Sequence, residues 1–547
     1  MSDRVLVIGL DGATWTALDP LMAEGRMPAL ASLVERGFRA PLESTVPPVT
    51  APAWSSFITG QNPGRHGIYQ FYEIDPWSER ALGRGAETFL AEPGVVVNGK
   101  ALGGPKLWEV ASDAGKRCVT INLPMTYPPS PINGLMVTDM LTPPGSKRFT
   151  TPPELADDLT DYEIDLTPRE KDFSSSDDAF LTRAEQVLDK RGRAIQKLFE
   201  REQWDLFVAI FTETDRIQHR YWQYLDPALA WSHGPELEEV RLRVVALYER
   251  LDGHLGRLLD AAGDRYRIVL ASDHGFGSAA FRRINMPVLA GAIGLGGKPA
   301  ASSRLAKFGI TKKRLYKYLG FLVPDGRLRN AERMARDRAL RDVKGKLVKL
   351  HDYIGGVWIH AASRGGPVPD DEVPKFRDSI IERLRSLINQ GTGTPIVSGA
   401  LPREMVFTGE RVSSAPDVIF FLDDRYGLDP TPHEQALIYK WDPPNSGTHR
   451  SDGIFLVAGD GVSKGDPATP LRIEDCAPTI LHLLGLPVPG AMDGRVIVEA
   501  FGAEFLASRP VQISGGKYTA STGAGAWDSD DDQAEIMERL RGIGYVE

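Results

Sequence analysis

The sequence contains no long apolar run and very little cysteine. No stretch approaches the roughly 18 consecutive apolar residues that a membrane-spanning helix needs. The amino-terminal segment VLVIGL is too short for a secretory signal and has the pattern of a buried strand. Only Cys118 and Cys476 occur among 547 residues, both in apolar surroundings, so a disulfide framework is not expected. We therefore predict a cytoplasmic protein with buried thiols.

An excess of positive charge and internal repeats are also missing. The net charge of -9 and the pI near 5.7 argue against a protein that binds nucleic acid over its whole surface. The hydrophobic content of 42% and charged content of 25% are typical of a globular protein. A chain of 547 residues is too long for one ordinary core. We expect one large α/β domain that carries an inserted subdomain.

Helical and strand patterns alternate along most of the chain. The segments VLVIGL, DLFVAIF and IVLA, the last beginning at residue 268, have the apolar pattern of buried strands, and amphipathic helical segments lie between them. Repeated helix-then-strand units are most simply arranged as a mostly parallel sheet with helices on both faces. The predicted fold is therefore a three-layer αβα core.

One segment departs from this alternation. Residues 282–350 contain 18 Lys and Arg against 4 acids. We expect a solvated, basic helical insertion there, with a lid for an anionic substrate or a membrane contact as the alternative. The predicted domains are residues 1–281 with 351–505, the insertion 282–350, and a linker with a terminal helix over 506–547.

Several potential metal ligands stand at predicted strand ends or helix starts. The run IVLASDHGFG stops an apolar strand at Asp273 and His274, and open α/β sheets hold their chemistry at this edge. Asp11 follows the first strand in the same way. Asp215 and His219 are four residues apart at a helix start, so both can face one ion. His449 lies in the Gly-containing loop SGTHRSDG.

Thr50 is the candidate nucleophile. It lies between Pro48 and Pro52, just before a short predicted helix whose free amides favour a phosphate group. Alone it has the ordinary interpretation of a loop or capping hydroxyl. A threonine hydroxyl attacks at neutral pH only if a cation or a base takes its proton, so this assignment depends on the metal ligands. Trp54, in the same helix, either packs in the core or lines a leaving-group pocket.

The order of these segments resembles the alkaline phosphatase superfamily. PAWSSFITGQNPGRHGI, TDRIQHRYW, PMTYPP and APTILHLLGLPVP are similar to the type I phosphodiesterase/nucleotide pyrophosphatase family, in its bacterial or archaeal phosphohydrolase or phosphomutase group. The resemblance spans most of residues 4–500. It implies two divalent ions, zinc or else manganese, with a small-molecule phosphate ester or nucleotide as substrate.

The resemblance also implies a role for each ligand. One ion would be held by Asp215, His219 and His449, and the other by Asp11, Asp273 and His274. Thr50 would bind at the second site and form a phospho-threonine. The expected activity is the cleavage of phosphodiester or pyrophosphate bonds.

One position departs from the family pattern. Ala53 stands where the nucleotide pyrophosphatases have an Asn that holds a phosphate oxygen. A phosphomutase or phosphomonoesterase is therefore the alternative activity, and a non-catalytic binding protein that works through 282–350 is a second alternative. Sulfatase activity is not expected, because no Cys occupies the nucleophile position. Structural roles are expected for the remaining histidines, which are His66, His233, His254, His351, His360, His433 and His482.

Overall fold

A computed structural model describes most of the chain. The described residues are 3–73, 94–166, 177–232, 235–295, 343–432, 434–441, 445–464, 467, 470–515, 525, 527 and 529–542. The strands, in chain order, are β1 Val5–Leu10, β2 Phe38–Glu43, β3 Cys118–Ile121, β4 Gly134–Val137, β5 Thr150–Thr151, β6 Leu206–Phe211, β7 Arg267–Ala271, β8 Gly275–Ser278, β9 Arg282–Asn285, β10 Gly345–His351, β11 Ile354–Ile359, β12 Val397–Pro402, β13 Val418–Leu422, β14 Gly427–Asp429, β15 Ile438–Lys440, β16 Gly447–Arg450, β17 Asp452–Ala458, β18 Leu471–Arg472, β19 Val488–Pro489 and β20 Ile513–Ser514.

The helices are numbered in the same way. They are α1 Trp15–Ala23, α2 Pro28–Arg36, α3 Thr50–Thr59, α4 Pro63–His66, α5 Leu107–Asp113, α6 Asp177–Glu200, α7 Glu213–Tyr221, α8 Pro235–Ala262, α9 Met286–Ala292, α10 Val373–Arg385, α11 Cys476–Leu483, α12 Ala503–Ser508 and α13 Asp530–Gly542.

The largest sheet among the described residues has nine strands in the order β18-β2-β17-β7-β1-β6-β3-β4-β5. Strands β7, β1, β6, β3 and β4 are parallel to one another, whereas β17 runs antiparallel between β7 and β2. The mostly parallel sheet predicted from the sequence is confirmed.

Both faces of this sheet are covered. Every residue of β1 is buried, and Val5 and Val7 face one core while Leu6, Ile8 and Leu10 face the other. Because alternate side chains of a strand point to opposite faces, this pattern requires a cover on each side. Helices α3, α5, α11 and α13 pack on the first face, and α1, α2, α6 and α8 pack on the second. The three-layer αβα arrangement is thus confirmed.

A second, antiparallel sheet has the order β10-β11-β13-β12, and we call it the four-stranded sheet. One of its faces packs against α9 and α10. Its other face contacts Tyr69, which follows α4. The hairpin of β10 and β11 is thereby brought close to the segment that follows α3.

The predicted basic insertion lies mainly outside the described residues, which omit 296–342. The described ends of 282–350 form β9, α9 and the beginning of β10, so they contain strands as well as a helix. The division of the chain into domains and the lid or membrane contact of this segment stay predictions.

The C-terminal helix predicted within 506–547 is α13, and it packs on the first face of the nine-stranded sheet. Ile536 and Leu540 are fully buried, and Arg539 donates a hydrogen bond of 2.8 Å to the carbonyl of Thr142. Cys118 and Cys476 are buried free thiols, as predicted. Within the described ranges, no helix has the length and apolar character needed to cross a membrane. The cytoplasmic location stays a prediction.

Candidate metal centre

The candidate ligands meet because their strands are neighbours. Strands β7, β1 and β6 lie side by side and parallel, so Asp273, Asp11 and the start of α7 follow at one edge of the sheet. The antiparallel strand β17 begins at this same edge, and β16 with His449 directly precedes it. Four segments far apart in sequence therefore converge on the carboxyl edge, as expected for an open α/β sheet.

Asp215, His219 and His449 form the histidine-rich group. The Nε2 atom of His449 lies 3.1 Å from Oδ1 of Asp215 and 2.9 Å from Nε2 of His219. His219 Nε2 lies 3.5 Å from the same carboxylate oxygen. One ligand atom from each residue is within 4.8 Å of the others, a spacing that suits a shared metal ion.

Asp11, Asp273 and His274 form the carboxylate-rich group. His274 Nε2 lies 3.2 Å from Asp273 Oδ2 and 3.8 Å from Asp11 Oδ1. Among the described residues, none forms a hydrogen bond with these three atoms, although all are buried. A buried polar atom without a partner is costly. Three such atoms that face one another fit a cation in their midst.

The two groups adjoin each other. The imidazole rings of His274 and His449 stack with their centroids 3.7 Å apart and their planes 19° apart. One histidine belongs to each group, so this stack fixes the distance between the two candidate sites. The arrangement suits a pair of ions that act on one substrate.

Hydrogen bonds orient the histidines for metal binding. Nδ1 of His449 lies 2.9 Å from the carbonyl of Pro48, and Nδ1 of His274 lies 3.1 Å from the carbonyl of Gly275. A carbonyl only accepts, so each Nδ1 donates its proton and Nε2 is left with a lone pair for a metal. The residues present therefore fit divalent cations by both their donor types and their tautomers.

The carboxylates of the centre have shifted pKa values. Burial raises the pKa of Asp11 well above its ordinary range, and the nearby Asp273 and Asp215 raise it further. Burial likewise raises the pKa of Asp273. Burial would also raise the pKa of Asp215, but His219, His449 and Arg216 hold this pKa well below its usual value.

The imidazoles are in the form that binds metals. Burial lowers the pKa of His219 to about 4. Burial also lowers the pKa of His274 well below its ordinary value, and His449 contributes to that shift. Both rings are therefore uncharged at neutral pH, as a metal ligand must be.

A buried ionic network places the start of α7. Arg216 forms an ion pair of 2.9 Å with Asp165 and a second one with Asp215. Arg191 pairs with Glu213 at 2.8 Å, and all these side chains are buried. The network fixes the carboxylate of Asp215 at the helix start. Arg216 and Asp165 carry no local signal in the sequence, because their contact joins segments 51 positions apart.

Thr50 is the first residue of α3, and its side chain is fully buried. Two contacts hold this helix start at the centre. The carbonyl of Pro48 accepts the His449 bond described above, and the Trp54 indole donates a hydrogen bond of 3.0 Å to Oδ2 of Asp11. Each contact ties the segment around Thr50 to a different group.

Trp54 occupies the core position that the sequence left as one alternative. Its side chain is 0% exposed, so it offers no surface to a leaving group. It packs edge-on against Phe57, with ring centroids 5.1 Å apart. Its indole N–H supports a candidate metal ligand, a role that the sequence analysis did not assign.

Phe276 and Gly447 also support the centre, although nothing in the sequence indicated a role for them. The Phe276 ring lies edge-on to His219 and His449, with centroids 4.9 and 5.1 Å apart. Gly447 lies against the carbonyl oxygen of Gln218, where a Cβ would overlap that atom. The missing side chain lets β16 approach α7 closely enough for His449 to reach His219.

Most of the remaining histidines have structural partners. His66 contacts Ser56 Oγ at 3.0 Å and accepts a hydrogen bond from the Ile68 amide at 3.1 Å, which fixes the turn after α3 as predicted. His254 pairs with Asp189, and His360 bonds to the Val343 carbonyl. His482 packs against the aromatic rings of Phe501 and Phe505. His233 and His433 lie outside the described residues.

Fold and site together define a member of the alkaline phosphatase superfamily. Residues 5–426 match the type I phosphodiesterase / nucleotide pyrophosphatase family, and the chain belongs to this family. It is therefore a phosphoester hydrolase of the phosphodiesterase and pyrophosphatase type, as the motifs predicted. No curated protein matches the sequence.

Solved structures of phosphonoacetate hydrolase share the fold at low sequence identity. Phosphonoacetate hydrolase from Sinorhizobium meliloti 1021 in complex with phosphonoformate is 16% identical, with a TM-score of 0.53 over 88% of this chain and 95% of that chain. Its complex with phosphonoacetate gives the same identity and coverage with a TM-score of 0.50. Murine ectonucleotide pyrophosphatase / phosphodiesterase 5 is 13% identical, with a TM-score of 0.45 over 88% and 95% of the two chains.

Proposed function

We propose that the protein is a two-metal phosphohydrolase that cleaves phosphodiester or pyrophosphate bonds, with nucleotide-type molecules among its substrates and Thr50 as its nucleophile. The main support is the meeting of two ligand groups, three residues each, through the stack of His274 on His449. Thr50 opens the helix that is tied to both groups.

The histidine-rich group would hold one ion and the carboxylate-rich group the other, with Thr50 beside the second. Zinc suits the mixture of imidazole and carboxylate ligands, and manganese is the alternative. Divalent ions bound there would lower the pKa of a nearby hydroxyl and neutralise charge on phosphoryl oxygens.

The residues of the chain then supply nucleophile and orientation. The Thr50 hydroxyl gives its proton to solvent and attacks phosphorus, so a bond from Oγ to phosphorus forms while the bond to the leaving oxygen breaks, and the leaving oxygen takes up a proton from solvent. Water then attacks the phospho-threonine, releases the phosphate product and restores the hydroxyl. Thr50 stands at the start of α3, and a helix start favours the negative charge of phosphoryl oxygens.

Ala53 supports a second candidate, a phosphomonoesterase or phosphomutase. Its buried methyl group offers no amide to a phosphate oxygen. Comparison of bis-p-nitrophenyl phosphate with p-nitrophenyl phosphate separates these activities. We expect faster turnover of the diester, and preference for the monoester would favour the second candidate.

Thr50→Ala is the decisive variant. We expect its turnover to fall by at least 1,000-fold, as for the loss of a nucleophile, while both metals stay bound according to elemental analysis. The variant should also fail to retain radioactive phosphate after an acid quench, whereas the natural protein should retain it on Thr50.

Thr59→Ala is the matched control, because Thr59 lies in the same helix and is equally buried. Its hydroxyl bonds to the Ser55 carbonyl at 2.7 Å and not to a ligand group. We expect a modest loss of stability with turnover retained. Turnover by Thr50→Ala at the level of Thr59→Ala would remove Thr50 from its proposed role.

A further inference from the structure

His351 lies over the candidate metal centre although its sequence neighbourhood predicted only a structural role. Its ring is nearly parallel to that of His449, with centroids 5.3 Å apart and planes 25° apart. His449 is therefore flanked by His274, which follows β7, and by His351 from the four-stranded sheet. His351 is thus the group that this sheet presents to the site.

A β-bulge turns His351 toward the centre. The pairing of β10 with β11 shifts register between Lys349 and His351. Bulges of this kind redirect one side chain and are frequent beside active sites. The ring is also held edge-on against Tyr353, with centroids 4.8 Å apart.

Contacts of Asp352 hold the turn between β10 and β11 in this position. Its Oδ2 accepts a hydrogen bond of 3.2 Å from the hydroxyl of Thr448, the residue before His449. Its Oδ1 forms ion pairs of 3.0 Å with both Arg283 and Lys349. Since Asp352 follows His351 directly, these contacts fix the ring relative to the histidine-rich group.

Nothing in the described part of the chain pairs with the Nδ1 atom of His351, which is buried. The residue as a whole is only partly buried. His66, His254 and His360, which have structural roles, all have hydrogen-bond partners. An unpaired buried nitrogen is costly, so the Nδ1 atom of His351 is expected to form a hydrogen bond with a group of the bound substrate.

We propose that His351 is a substrate-contacting residue, whose imidazole forms a hydrogen bond with an oxygen of the phosphate ester held at the metal centre. The inference rests on the proposed function, since it places that ester beside His449. It makes the four-stranded sheet part of the binding site. His351 binds an oxygen in this proposal and is not a metal ligand.

His351→Ala tests this assignment, with kcat and KM measured on bis-p-nitrophenyl phosphate at full metal loading. A hydrogen bond to a charged oxygen contributes enough for its loss to lower kcat/KM by about 10- to 100-fold. Metal content should stay equal to that of the natural protein. His351→Gln, which keeps a hydrogen-bonding group, should recover part of the loss.

His360→Ala is the control for a buried histidine of the same sheet. His360 bonds to the Val343 carbonyl at 2.9 Å, away from the centre. We expect His360→Ala to lower the melting temperature, because a buried hydrogen bond is lost. It should leave kcat/KM within about twofold of the natural value, because His360 contacts no ligand of the centre. Equal kcat/KM for His351→Ala and the natural protein would overturn the inference. Loss of a metal ion from His351→Ala would overturn it too, because that result would make His351 a support of the ligands.

Binding of inorganic phosphate, measured by calorimetry, separates the two proposals. If the natural protein turns over no ester, the proposed function fails. The inference then stands only if phosphate binds and His351→Ala weakens that binding by about 10-fold or more. Phosphate binding that is absent, or unchanged by the substitution, would refute it.

Discussion

Trp54→Phe should weaken metal binding at the carboxylate-rich group while the protein stays folded. The substitution removes the indole N–H that donates to Asp11 Oδ2 at 3.0 Å, in a site that is fully buried. A hydrogen bond to a charged group contributes about 1.5–3 kcal/mol. Since 1.4 kcal/mol corresponds to a factor of ten, the affinity of that site should fall by about 10- to 100-fold, the range found for residues that orient metal ligands.

The loss should depend on pH in a defined direction. The Asp11 pKa is raised by burial and by Asp273 and Asp215, and the Trp54 hydrogen bond acts against that rise. Without the indole, the pKa rises further and a proton competes more strongly with the metal. The deficit in affinity should therefore grow as pH falls from 8 to 6.

Trp108→Phe provides the matched control. Trp108 is almost fully buried in the same core, but its indole bonds to Ser130 Oγ at 3.2 Å and touches no ligand group. Both variants lose one indole hydrogen bond and some packing, so comparison of the two isolates the effect on Asp11. The assay is metal titration against a competing chelator, with elemental analysis. Equal metal affinities for the two variants, at either pH, would refute the proposed role of Trp54.

Two further substitutions test the geometry and the electrostatics of the fold. Gly447→Ala should reduce the metal content of the histidine-rich group, measured by elemental analysis, because its Cβ would overlap the Gln218 carbonyl and displace His449. Gly291→Ala should leave this metal content unchanged, because its Cβ meets no described atom within 4 Å. Burial raises the pKa of Asp139 to about 7, so the folded protein favours the protonated carboxyl. The contribution of this group to the free energy of unfolding is complete below the unfolded pKa, near 4, and is lost as pH rises through 7. Asp139→Asn should remove this pH-dependent term, worth roughly 3–4 kcal/mol, and urea unfolding at pH 5 and pH 8 should show a smaller difference than in the natural protein.

The part of the site that could be predicted is the part with local signals. Asp11 and Asp273 each follow a run of buried apolar residues, and parallel strands must end at one edge of their sheet. Asp215 and His219 have the spacing of one helical face. His449 carries no such signal, and it was identified through its place in the order of family motifs. The same local patterns predicted the central sheet and its two helical layers.

The remainder depends on contacts between distant segments. Arg216 reaches Asp165 across 51 positions, and the bulge before His351 exists only in the pairing of two strands. Core packing was one of two alternatives for Trp54 in the sequence, but its indole partner Asp11 lies 43 positions away. Such contacts leave no periodicity in the sequence, so the supporting residues became visible only in the folded chain.

The charge balance of the centre favours bound cations independently of the family motifs. Asp11, Asp215 and Asp273 bring three buried carboxylates to one edge of the sheet, and the adjacent rings of His219 and His274 are uncharged at neutral pH. Arg216 is the cation that contacts one of these carboxylates, and it is shared with Asp165. Burial of like charges is costly unless an opposite charge compensates them. One divalent ion at the unpaired oxygens of Asp11 and Asp273, and a second one beside Asp215, would supply that charge, so metal binding and folding should stabilise each other.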